Sequence, residues 1–99
     1  MFSKTIAILS VLLSFSYLAA SEYFRAIELF NLRKIEDSLI MFKKVSNNEN
    51  DEKRSDAMFN LAVIYDNGFG VPVDKTRALF YYEASSSLSN KYAQYNLGW

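Results

Sequence analysis

Shifted along itself by 36 residues, this chain overlays its own sequence. Ala57, Asn60 and Leu61 fall on Ala93, Asn96 and Leu97, Phe59 falls on Tyr95, and Ala62 on Gly98. A second shift of 36 sets Ala26 beneath Ala62. Self-similarity at this period marks stacked helix–turn–helix units, whose commonest form runs about 34 residues. Such a unit cannot bury its apolar face alone, so each neighbour must supply part of the core. Small residues recur where large ones would hold two helices apart.

The hydrophobic spacing places helices where the repeat needs them. From Glu22 to about Asn31, Tyr23, Ile27 and Phe30 share one face, with Ala26 and Leu29 beside it. A tight turn over Asn31–Lys34 leads to a second helix from Ile35 to about Val45, with Ile35, Leu39, Phe42 and Val45 at helical spacing. The seven residues Ser46–Glu52 are all polar and read as a solvated loop. A third helix, from about Lys53 to Asn67, is apolar nearly all round between Ala57 and Tyr65. That pattern belongs to a helix covered on several sides. Gly68 and Gly70 end it, Asp74 is an N-cap for a fourth helix reaching about Leu88, and Ser85–Ser87 are expected to loosen that helix's end. A fifth helix opens at Asn90 or Lys91.

The first 20 residues stand apart. Lys4 is their only charge, an uncharged run reaches Ser21, and Ala19, Ala20 and Ser21 are small. A basic end, an apolar stretch and a small-residue exit describe a secretory signal peptide. Cleavage is expected after Ala20 or Ser21, giving an exported protein, periplasmic or secreted. The alternative is a membrane anchor formed by residues 5–20, but a spanning helix takes about 20 apolar residues and this stretch is shorter and rich in serine.

Composition removes most chemistry. Cys and His are both absent, so disulfide frameworks, thiol or Ser–His–Asp catalysis and Cys/His zinc sites are excluded. Eleven basic residues balance eleven acidic ones, which leaves no bulk field to attract nucleic acid. The acids of Ser46–Glu52 lack the ordered spacing and turn glycine of a calcium loop. No metal or other cofactor is expected.

The stretch Ala57-x-x-Asn60-Leu61-Ala62-x-x-Tyr65-x-x-Gly68-x-Gly70-Val71-x-x-Asp74-x-x-x-Ala78-x-x-Tyr81-Tyr82, followed by Ala93-Gln94-x-Asn96-Leu97-Gly98, resembles the Sel-one-like repeat of the tetratricopeptide-like superfamily. Ala62 replaces the usual Gly, Tyr81 the usual Trp, Ser85 and Ser86 an Ala pair, and Ser89 a Gly. Residues 22–46 lack the G-x-G-V loop and look more like an ordinary tetratricopeptide unit. The resemblance implies an all-α helical-hairpin solenoid of about two and a half units after the signal peptide: 22–52, 53–89, and 90–99 as the first helix of a further, truncated repeat.

For most motif residues the physical reading is structural. Gly68 supplies a left-handed residue at the helix end, Gly70 lets the loop fold closely, and Val71 plugs it onto the core. Ala62, Ala78 and Gly98 permit close helix approach, while Tyr65, Tyr81 and Tyr82 fill the wedge between hairpins.

Stacked hairpins also create a concave groove lined by the first helix of each unit. By similarity its residues are Tyr23, Ile27 and Phe30, then Phe59, Asn60, Val63 and Asp66, then Tyr95, Asn96 and Trp99. Among these Phe59, Asn60, Asp66, Tyr95 and Asn96 are the candidate partner contacts. The expected function is protein or peptide binding as an adaptor, with self-association through an open C-terminal end. Two alternatives stand beside it. Some family members are labelled β-lactamase-like or penicillin-binding, yet no lysine here stands three residues after a serine, so S-x-x-K is missing. The other is a fragment of a longer repeat protein without activity of its own.

Overall fold

A computed structural model describes residues 22–88. The signal peptide assigned to residues 1–20 and the fifth helix, with Ala93, Tyr95, Asn96, Leu97, Gly98 and Trp99, lie outside the described residues. Within them the chain is all helical: α1 over 22–31, α2 over Ile35–Asn47, α3 over Arg54–Asn67 and α4 over Lys75–Ser87. None of these is long and apolar enough to cross a membrane.

The central helix is α3, which packs against both α2 and α4. Leu61 and Ala62 are wholly buried within it, beside Ala57, Ile64 and Tyr65. Ala26 from α1, Leu39, Phe42 and Val45 from α2, and Ala78 and Tyr82 from α4 complete one continuous core. The four alanines of this core are each no more than 2% exposed, as expected where a methyl group is all the crossing has room for.

Serine hydroxyls tie each hairpin across its helices. Ser38 Oγ donates to the Ala26 carbonyl at 2.7 Å, joining α2 to α1. Ser55 and Ser85 form a reciprocal pair between α3 and α4: each hydroxyl lies within 3.1 Å of the other's carbonyl. This corrects the expectation that Ser85–Ser87 loosen the end of α4. The helix continues through Ser87, and Ser85 is fully buried. Its hydroxyl has an interhelical carbonyl to bond, which removes the cost of burying it.

The polar stretch after α2 is also less solvated than its composition suggests. α2 runs on to Asn47, and Ser46 is buried with its hydroxyl on the Lys43 carbonyl and its own carbonyl on Arg54 Nε. Asp51 is only 7% exposed. Its Oδ1 accepts the Lys53 amide at 2.8 Å and its carbonyl accepts the Arg54 amide, so it forms the turn that leads into α3. A run of polar residues hides such a turn-forming aspartate because composition does not say which backbone amides need an acceptor.

Both hairpin turns use the left-handed region. In the α3–α4 loop Gly68 (φ +69°) and Gly70 (φ +72°) occupy it without cost. Gly70 has a second constraint, since a Cβ there would lie 2.5 Å from Ile35 Cγ1, the first residue of α2. In the α1–α2 turn the same backbone conformation falls on Arg33 (φ +63°), between the Arg33 amide bond to Phe30 and the Lys34 amide bond to Leu29. A side chain in this region is strained. Arg33→Gly is therefore expected to raise stability by about 0.5–1 kcal/mol in urea unfolding; a neutral or destabilising result would mean the Arg33 side chain contributes more than its backbone costs.

Candidate functional site

Between α1 and α3 lies a cleft of about 280 Å³, lined by Tyr23, Ile27, Phe30, Asn31, Phe42, Asn60, Val63, Ile64 and Phe69. Helical spacing explains its two walls. Tyr23, Ile27 and Phe30 succeed one another along α1, as Asn60, Val63 and Ile64 do along α3. Phe42 from α2 forms the floor, 2% exposed, and meets Tyr23 edge-on at 6.1 Å. Phe69, held between Gly68 and Gly70, closes the far end edge-on to Phe30 at 6.1 Å.

The lining carries no formal charge. Its polar groups are the two amides and one phenol, and two of the three are joined: Asn60 Nδ2 donates to the Tyr23 hydroxyl at 3.0 Å. Burial raises the Tyr23 pKa, the Asn60 bond works against that rise, and the nearby Asp56 charge adds to it. The Lys53 ammonium stands over Tyr23 at 5.6 Å and over Phe24 at 5.7 Å, at the rim of the aromatic wall. Apolar walls with a few placed polar groups are the usual constitution of a ligand cleft.

The groove residues read from the sequence divide between two places. Asn60 and Val63 stand in the cleft beside Tyr23, Ile27 and Phe30. Phe59 and Asp66 are not part of its lining. Phe59 packs on Tyr82 of α4 at 5.9 Å. Asp66 binds Lys75 Nζ through Oδ1 and receives the Tyr82 hydroxyl on Oδ2 at 3.2 Å. Tyr95 and Asn96 lie outside the described residues.

Sequence reasoning passed over Asn31, Phe42, Ile64 and Phe69. Phe69 had a readable signal: it is a bulky ring between two glycines whose loop folds onto the core. The other three reach the cleft only through the packing of α1, α2 and α3 on one another, which spacing within one helix does not encode.

The Asp66 cluster has a marked electrostatic signature. The Lys75 hydrogen bond holds the Asp66 pKa below its ordinary value; burial opposes this, and the Lys75 charge and the Tyr82 bond add to the lowering. Burial, with the Asp66 charge and hydrogen bond, pushes Tyr82 up to about 12. Among the described residues no three acidic side chains converge where a metal ion could sit.

Comparison with known proteins identifies the repeat. Residues 55–90 and 91–99 match the family model of the Sel1 repeat. No curated protein matches the chain, and no solved structure does.

A phenol whose folded pKa is raised favours folding below its ordinary value of 10.0 and withdraws that contribution as pH climbs through the folded value. The unfolded Tyr82 ionises first, so stability is expected to fall between pH 10.0 and about 12. Tyr82→Phe should flatten that part of the curve in urea melts taken at stepped alkaline pH. An unchanged slope would mean that another group governs alkaline unfolding.

Proposed function

Because residues 55–99 of the chain belong to the Sel1 repeat family, whose members generally mediate protein–protein interaction, we propose that this protein is an adaptor that binds a peptide segment in the α1–α3 cleft. The observation that carries the reading is the neutral, aromatic-walled cleft itself, formed where the first helices of two successive hairpins face each other. Four rings supply area with little rotamer entropy to lose, a property that enriches aromatics in binding hot spots.

The chemistry of the lining narrows the partner. A charged segment would lose water there without gaining an opposite charge, so the preferred ligand is an uncharged stretch with apolar side chains. Asn60 spends one amide hydrogen on Tyr23, and its carbonyl oxygen supplies an acceptor for a peptide N–H. Asn31 offers a second amide beside Phe69. Nucleic acid has no place in this reading, since the chain is neutral overall and the cleft uncharged.

The test is a peptide selected from a random display library against the full chain. Phe69→Ala trims a ring that is already 45% exposed, so it alters the cleft with little effect on the core. It is expected to weaken such a peptide by about tenfold. Ile40→Asp on the exposed face of α2 should leave affinity within about twofold. Binding that follows Ile40 and ignores Phe69 would move the partner to the other face.

Export completes the proposal. It rests on the single lysine, uncharged run and small-residue exit of residues 1–21. N-terminal sequencing of the product secreted by an expressing cell is expected to begin at Ser21 or Glu22. A product that retains Met1 would replace export by anchoring or cytoplasmic residence.

A further inference from the structure

On the α2–α4 side of α3, two cations from different hairpins converge on one phenol. Arg77 of α4 lies over the Tyr65 ring at 5.0 Å and donates from Nη1 to its hydroxyl at 3.3 Å. Lys43 of α2 stands over the same ring at 5.9 Å. Tyr81 stacks on Tyr65 with the planes 6° apart, and Phe80 meets Tyr81 edge-on at 5.2 Å. A surface recess of about 400 Å³ opens beside them, lined by Asp74, Thr76, Arg77, Phe80 and Tyr81.

The charges in this place do not balance. Lys44, one residue along α2, is paired with Glu22, and Lys75 with Asp66. Among the described residues Lys43 makes no ion pair. Arg77 has one acid near it, Asp74, with Oδ2 3.7 Å from its Nε, and the Oδ1 of that carboxylate is already bonded to the Arg77 amide as the cap of α4. Glu83 stands six residues further along α4, and Glu36 and Asp37 stand six or more residues back along α2. Each is more than a helical turn away. Tyr65 accepts from Arg77, which leaves its own hydroxyl hydrogen to give. Burial alone would raise the Tyr65 pKa, yet the Arg77 and Lys43 hydrogen bonds and charges bring it below the ordinary value.

We propose that Lys43, Arg77 and Tyr65 form a binding site for a tetrahedral oxyanion, a phosphate or phosphomonoester, at the seam between the two hairpins. Three donors of different geometry suit the oxygens of a phosphate: the ammonium as a point charge, the guanidinium as a planar fork and the phenol as a neutral donor. Phe80, 64% exposed, and Tyr81 present rings at the mouth of the recess, where an aryl group attached to the phosphate would lie. The site is separate from the cleft between α1 and α3, so it stands or falls independently of peptide binding.

The test is a titration of the full chain with sodium phosphate at constant ionic strength, followed by the NMR ring signals of Tyr65. A saturable shift is expected. Lys43→Gln and Arg77→Gln should each weaken it about tenfold, the loss of one charge-assisted hydrogen bond, and Lys44→Gln should not. Arg77→Lys, which keeps the charge and removes the fork, serves if Arg77→Gln fails to fold. Phenyl phosphate is the second arm: tighter binding than inorganic phosphate assigns the site to an aryl phosphomonoester, and equal binding assigns it to the free ion. The proposal is overturned if neither anion gives a saturable shift, or if Lys44→Gln weakens the response as much as Lys43→Gln does.

Discussion

The C-terminal end of α3 is the constraint on which the rest of the structure depends. A helix covered on several sides must still find partners for its last carbonyls, because each one left bare in an apolar setting costs several times what a hydrogen bond returns. Here the carbonyls of Val63, Ile64, Tyr65 and Asp66 are all met. Asn67 Nδ2 reaches back to Val63, the Gly68 and Phe69 amides share Ile64, the Asp74 amide takes Tyr65, and Lys75 Nζ takes Asp66. These donors lie at the end of α3, in the loop that follows and at the first residue of α4. That loop must therefore fold back over the helix end, and only left-handed residues let it do so.

Once the loop is folded back, its side chains have little freedom. Phe69 is carried onto Phe30 and Gly70 onto Ile35, so the second hairpin grips the first. Asp74 arrives where it can cap α4 and Lys75 where it can bind Asp66. The far wall of the cleft, the crossing of the hairpins and the start of α4 are thus three results of satisfying one set of carbonyls. The cleft and the cationic seam then lie on different sides of α3. One is neutral and aromatic, the other positive and hydrogen-bonding, so their ligands would differ in kind.

The serines show how polar groups can replace alanines inside such a stack. Where the Sel1 pattern has an alanine pair, this chain has Ser85 and Ser86, both buried. Ser85 exchanges hydrogen bonds with Ser55, and Ser38 makes a similar bond within the first hairpin. An alanine crossing tolerates small slips along the helix axis. A hydroxyl aimed at one carbonyl does not, so these bonds fix the register of each hairpin.

The sequence by itself determined the helices, their order and the repeat, because those rest on spacing within one segment: alanines and leucines returning after 36 residues, glycines at a helix end, an aspartate before a helix. It also excluded thiol and imidazole chemistry through the residues it lacks. Only the tertiary structure decided which side of α3 each side chain serves. Asn60 and Val63 go to the cleft, whereas Phe59 and Asp66 turn to α4, although all four lie within eight residues. Burial of Asp51 and Ser85, and the meeting of Lys43 with Arg77 on Tyr65, were likewise beyond reach of the pattern. The physical reason is the same in each case. These contacts join residues distant in sequence through a crossing angle, and periodicity along one helix carries no information about the angle at which it meets the next.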